Sequence, residues 1–180
     1  MVDFKNNKSL KDHLVRATLL TINTAASSKP CWGKRPIFQL CKHFKTTTLF
    51  GKHNSIETYK VKQSFNFNSK NVVYLIECRV CQKPYIGSTT TKFRQRANNY
   101  KSIFRKFESK KDIPKQALNQ RKFHTHYCSD DHSGIDDWLI TIIDSDQDEK
   151  CLRRKELYWI HKLETFEPNG LNEREVYSAY

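Results

Sequence analysis

From Asn71 to Gly87 the chain reads NVVYLIECRVCQKPYIG, two short apolar runs separated by a polar tip. Runs of this length, bounded by turn residues, predict two β-strands and a hairpin turn. Tyr74 falls in the first strand and Tyr85 in the second, and a Cys-x-x-Cys pair, Cys78 and Cys81, falls on the turn. The period then lengthens. In TTTKFRQRANNYKSIFRKF, Phe93, Ala97, Tyr100, Phe104 and Phe107 recur at three and four residues, one apolar stripe of a helix. DDWLITIIDS is dense in β-branched residues and predicts a third strand. DQDEKCLRRKELYWIHKLETF predicts a second helix, with acids in the first turn where the helix dipole favours them. Its inner face would hold Leu152, Glu156, Trp159, Ile160 and Leu163, and Pro168 and Gly170 close it off. The order β-β-α-β-α implies an α/β (α+β) fold, a small sandwich.

The flanking segments are weaker in pattern. SLKDHLVRATLL, Ser9 to Leu20, has Leu10, Leu14, Ala17 and Leu20 on one side and Ser9 as an N-cap, a lone helix. Polar, basic sequence follows to Lys70 and reads as a connector with a short hairpin in IETYKVKQSFNF. SKKDIPKQALNQRKFHTHYCSDDHSG is a polar excursion with a helical turn near Gln116 to Lys122. The division expected is a basic N-terminal connector over 1–66 and a folded domain over 67–180.

Charge sharpens this picture. The formal net charge is +13. Residues 1–65 hold 12 Lys/Arg against 3 Asp/Glu, residues 66–135 hold 14 against 5, and residues 136–180 hold 6 against 11. A chain basic over most of its length and acidic at one end suits a polyanion along its surface and a cation locally. Nucleic acid is the natural partner; a merely solvated basic surface is the alternative. No run of eighteen apolar residues marks a membrane span, and the N-terminus lacks the pattern of a secretory signal. An intracellular setting with reduced thiols is therefore expected, where paired cysteines point to metal before disulfide.

Four groups of residues suggest chemistry. Glu156 interrupts an apolar helix face with a carboxylate, which is costly unless a cation or an arginine meets it. A salt bridge, with Arg96 as candidate partner, and a site for a hard divalent ion both fit. Arg96 and Tyr100 share one helical side beside the strands bearing Tyr74 and Tyr85. A guanidinium, a bound metal and phenols would serve phosphodiester hydrolysis, and aromatic packing with satisfied hydroxyls is the other reading. Cys78 and Cys81 have the spacing of half a zinc knuckle, and His126 and His132, with His124 and Cys128 close by, offer the second half. Unliganded thiols are the alternative, as they are for Cys31, Cys41 and His43.

In this order the residues resemble the GIY-YIG endonuclease family. VVY, Val72 to Tyr74, stands at the first triplet with Val72 in place of its glycine, and YIG, Tyr85 to Gly87, is the second intact. The resemblance implies that Arg96, Tyr100, Glu156 and Asn172 complete a catalytic set with Tyr74 and Tyr85. It implies a three-stranded antiparallel sheet flanked by helices. Arg96 would hold the scissile phosphate, Glu156 would bind Mg²⁺ or Mn²⁺, and Tyr74 or Tyr100 would position or deprotonate water. Lys92, Arg94, Lys101 and Arg105 are expected to contact the DNA backbone. A Cys-x-x-Cys between the triplets with two later histidines is similar, more narrowly, to the endonuclease of Penelope-like retroelements. That likeness implies a structural Zn²⁺ on Cys78, Cys81, His126 and His132, a nuclear location and a reverse transcriptase as partner. It also implies a nick that leaves a 3′-hydroxyl primer. Phe38 stands where a further connector cysteine is expected. A structure-specific repair nuclease and a DNA-binding module without catalysis are the rival functions.

Overall fold

The computed structural model describes residues 41–52, 55–109 and 121–174. The expected helix at Ser9 to Leu20, Cys31, Phe38 and the start of the turn at Gln116 lie outside them.

Apolar residues of the first predicted strand fall on both of its faces, so it belongs at the centre of a sheet. Strand β3, Val72–Cys78, takes that place, with Val72 through Ile76 all buried. It pairs antiparallel with β4, Pro84–Thr89, on one side and with β5, Trp138–Ser145, on the other, giving the order β4-β3-β5. The register sets Tyr74 opposite Gly87, Ile76 opposite Tyr85, and Val73 opposite Ser88. Because side chains alternate along a strand, Tyr74, Ile76, Tyr85 and Gly87 share one face, and Val73, Leu75, Ile86 and Ser88 share the other.

Helix α1, Phe93–Glu108, lies against the first face, where Phe93 and Tyr100 set their rings edge-on to Tyr74 at 4.9 and 6.5 Å. Its first two amides are satisfied by the chain before the sheet, Phe93 N–H by Ser69 O at 2.9 Å and Arg94 N–H by Phe67 O at 2.9 Å. Helix α2, Arg121–Tyr127, adds Phe123, whose ring meets Tyr85, Tyr100 and Trp138. Helix α3, Glu149–Lys162, is capped by the Asp148 carboxylate, which accepts from Cys151 N–H at 2.8 Å. It lies on the second face, tied to β5 where Trp159 Nε1 donates to Asp144 Oδ2 at 2.9 Å.

The sandwich expected from sequence is thus present, with boundaries moved. A 3₁₀ turn at Gly134–Asp137 takes up the first residues of DDWLITIIDS, so β5 begins at Trp138. The excursion ends in α2, which reaches Tyr127 rather than Lys122. The short hairpin is β1, Leu49–Gly51, paired with β2, Thr58–Lys60. IETYKVKQSFNF therefore supplies only one of its strands.

The segment read as connector also packs: Phe44, Phe50, Val61, Phe65 and Phe67 are buried with the rest of the core. Lys45 N–H bonds Ile140 O at 2.7 Å. These aromatics are scattered among polar residues without a period, so the hydrophobic pattern did not reveal them.

Candidate active site and metal centre

On the first face of the sheet, three phenols and a guanidinium form one hydrogen-bonded cluster. Tyr74 Oη and Tyr100 Oη are 2.8 Å apart, and Tyr100 donates to Tyr85 Oη at 3.4 Å. Arg96 donates through Nε to Tyr74 and through Nη2 to Tyr100, each at 3.1 Å. Its guanidinium also lies 4.5 Å from the Tyr100 ring centroid. The glycine of YIG makes room for this cluster: a Cβ on Gly87 would come within 2.6 Å of Tyr74 Oη. Tyr74 and Tyr100 have no exposed surface, and burial pushes both phenols above the usual tyrosine range, against the opposing pull of Arg96. Their protons stay in place at neutral pH. Both hydroxyls accept from Arg96 and so fix the plane of its guanidinium. The phenol oxygens of Tyr100 and Tyr74 in turn keep the guanidinium charged despite its burial.

Glu156 lies on the other face, only 4% exposed. Its Oε2 accepts from Ser88 Oγ at 2.7 Å and from Arg153 Nη1 at 3.3 Å. The salt bridge foreseen for this carboxylate exists, but with Arg153 one turn earlier instead of Arg96. Sequence reading passed over both partners. The signals were local: Ser88 follows the YIG triplet directly, and Arg153 stands three residues before Glu156. Gly87 and Ser88 are neighbours on an edge strand, so the cluster on one face and the carboxylate on the other are joined through two consecutive residues.

Asn172, expected in the catalytic set, is hydrogen-bonded to the backbone of β4. It is 1% exposed. Its Oδ1 accepts from Ile86 N–H at 2.9 Å and from Thr165 Oγ1 at 2.7 Å, and its Nδ2 donates to Ile86 O at 2.8 Å. The amide thus pairs with the outward-facing backbone of Ile86 as another strand would, while Leu171 N–H bonds Pro84 O at 2.9 Å. Asn172 clamps the chain end across the open edge of β4 and fixes the YIG triplet from behind.

The basic residues divide between two flanks. At about 100° per residue, Arg94, Lys101 and Arg105 fall roughly 140 to 180° around α1 from Arg96. Lys92, at the N-cap, is one turn before Arg96 and on its side.

At the hairpin tip, Cys78, Cys81, His126 and His132 bring their four ligand atoms within 4.8 Å of one another. They come from the end of β3, the turn, the last turn of α2 and the loop after it. Cys81 Sγ and His126 Nε2 are 3.4 Å apart. Ser129 Oγ lies 3.1 Å from His132 Nδ1, while His132 Nε2 is buried without a hydrogen-bond partner. A buried imidazole nitrogen with no partner, beside two thiols and a second imidazole, is the donor set a tetrahedral Zn²⁺ takes. Burial, with His132 and Lys83 adding to it, lowers His126 to about 4, so its ring is neutral, the form that ligates. Burial raises the Cys78 thiol, a shift that a bound cation reverses. His124 is excluded from the set: it has no exposed surface and stacks on Phe107 at 5.3 Å. Among the described residues Cys41 and His43 join no such cluster. His43 is buried with Nε2 3.5 Å from Asp136 Oδ1.

A small α/β domain with an arginine–phenol cluster on one face of a sheet and a buried carboxylate on the other, linked through Gly87 and Ser88 of one edge strand, offers groups that phosphodiester hydrolysis can use. The chain belongs to the GIY-YIG family: the family's profile, described as the GIY-YIG catalytic domain, matches residues 70–172. It is accordingly a DNA endonuclease. Among solved structures, the catalytic domain of the homing endonuclease I-TevI is similar, with a TM-score of 0.41 and 19% identity, over 57% of this chain and 97% of that one. No curated protein matches the chain. Among the described residues no helix is long and apolar enough to cross a membrane.

Proposed function

We propose that this chain is the endonuclease portion of a Penelope-like retroelement protein, nicking target DNA to leave a 3′-hydroxyl from which an associated reverse transcriptase primes synthesis. The observation that supports this narrower reading is the convergence of Cys78 and Cys81, set between the triplets, with His126 and His132. That setting favours this reading over a plain repair nuclease of the same family. A nuclear location follows from the proposed task.

In the proposed mechanism Arg96 binds the scissile phosphate and neutralises the charge that grows on it, its plane fixed by Tyr74 and Tyr100. Tyr85 completes the phenol chain. Glu156 would hold a Mg²⁺ or Mn²⁺, which would supply Lewis-acid chemistry at the leaving 3′ oxygen. Water attacks phosphorus, the P–O3′ bond breaks, and the products are a 3′-hydroxyl and a 5′-phosphate. Lys92 is placed to meet backbone phosphates beside Arg96; Arg94, Lys101 and Arg105 serve flanking duplex on the far side of α1. Cys78, Cys81, His126 and His132 hold Zn²⁺ and tie the hairpin tip to α2.

Nicking of supercoiled plasmid tests this, comparing wild type with Glu156→Ala in Mg²⁺, Mn²⁺ and EDTA, with folding and zinc content checked in parallel. Metal-dependent nicks bearing 3′-hydroxyls, extended by a polymerase and lost in a folded Glu156→Ala, are expected. DNA binding without cleavage in any metal would refute the nuclease reading. A marked preference for branched over plain duplex would favour repair.

A further inference from the structure

Glu156 sits in a small polar group that the catalytic set does not include. Ser88 Oγ donates to Oε2 at 2.7 Å, and Arg153 Nη1 reaches the same oxygen at 3.3 Å. The carboxylate is 5% exposed and the arginine side chain 52% exposed, so one partner is fixed and the other stands at the solvent boundary. The two contacts differ in kind. Ser88 is neutral, short in reach and held on β4, opposite Val73 in the sheet. Arg153 is a full positive charge on a long side chain of the same helix as Glu156.

We infer that Ser88 and Arg153 are positioning residues that set the divalent-metal affinity of Glu156 in opposite directions. This rests on the reading of Glu156 as a metal ligand. Ser88 fixes the rotamer of a carboxylate that would otherwise turn within its pocket, so the carboxylate faces one direction in every molecule. Groups that orient a ligand in this way typically change metal affinity by about 10- to 100-fold when removed. Arg153 does the reverse. Its guanidinium occupies the oxygen and opposes an incoming cation by like charge, and the pair must loosen as the ion binds. The arginine thus acts as a built-in competitor. It neutralises the buried carboxylate when no ion is present and makes the site empty readily.

Mn²⁺ binding to the full chain, preloaded with one equivalent of Zn²⁺, tests the inference directly. Free Mn²⁺ is counted by its electron paramagnetic resonance signal, with no DNA present. Ser88→Ala is expected to weaken binding by about tenfold or more, and Ser88→Thr, which keeps the hydroxyl, to restore most of it. Arg153→Ala is expected to tighten binding by roughly three- to tenfold, and Arg153→Lys, which keeps the charge, to stay near wild type. Thermal melts confirm that each variant is folded. Glu156→Gln separates the two levels of the argument. If it binds Mn²⁺ like wild type, Glu156 is not the ligand and the underlying reading fails. If it loses binding while Ser88→Ala and Arg153→Ala both match wild type, only the inference fails. Weaker binding in Arg153→Ala would also overturn it, because that makes the arginine a support and not a competitor.

Discussion

Replacing Asn172 by Ala separates a structural clamp from a catalytic amide. The side chain makes three hydrogen bonds, to Ile86 N, Ile86 O and Thr165 Oγ1, at 2.9, 2.8 and 2.7 Å, in a site 1% exposed. Truncation leaves three buried polar groups without that partner, and each such group costs about 1–3 kcal/mol. Partial collapse and entry of water reduce the sum, so a loss of about 3–5 kcal/mol is expected. That is a large share of the roughly 5–15 kcal/mol that stabilises a domain. With a urea m-value near 2 kcal/mol/M, the unfolding midpoint falls by about 2 M. Urea titration followed by tryptophan fluorescence measures this. Nicking is assayed at a temperature where both proteins are folded, and the folded variant should retain much of its rate. A midpoint within about 0.3 M of wild type together with abolished cleavage would refute the reasoning and return Asn172 to the catalytic set.

Two further outcomes follow from burial and ligand geometry. The purified protein should contain one zinc per chain, and stripping it with a chelator should lower Tm on the order of 10 °C or more and expose Cys81 to alkylation; a Tm indifferent to chelator would mean the four residues hold nothing. Tyr74 and Tyr100 ionise above the ordinary phenol range when folded and near pH 10 when unfolded, so the stability they confer is full below about pH 10 and declines above it. Melts from pH 8 to 11 should show that alkaline decline, and Tyr74→Phe with Tyr100→Phe should flatten it.

How much of this was legible in the sequence depends on the length scale of the signal. Elements with a sustained period, the α1 stripe and the β3 run, are readable because burial repeats with the geometry of the backbone. Glu156 was readable for the same reason in reverse, as a charge where the period calls for an apolar side chain. Phe44 and Phe67 were not, since their burial comes from a chain path that no local period records. Arg153 as the partner of Glu156 was obscured by an assumption of distance: the nearer arginine, one turn away on the same helix, meets the carboxylate. The four candidate metal ligands were found by residue type and order, yet only the packing of α2 separates His126 and His132 from the buried His124 two residues before the first of them.

The burial of the phenols was not legible at all. A tyrosine in a motif invites the role of base, and only the fold shows that Tyr74 and Tyr100 are sealed under Arg96, Phe93 and Trp138. Desolvation then outweighs the guanidinium in each phenol. The cluster is better understood as a device for one residue. An arginine held by two neutral hydroxyl acceptors keeps its full charge, whereas a carboxylate in the same place would have neutralised it. Glu156 lies on the opposite face of the sheet from this cluster, where Arg153 meets it. Gly87 and Ser88 are where the two halves connect. A side chain at Gly87 would meet Tyr74, and the Ser88 hydroxyl donates to Glu156 on the other face.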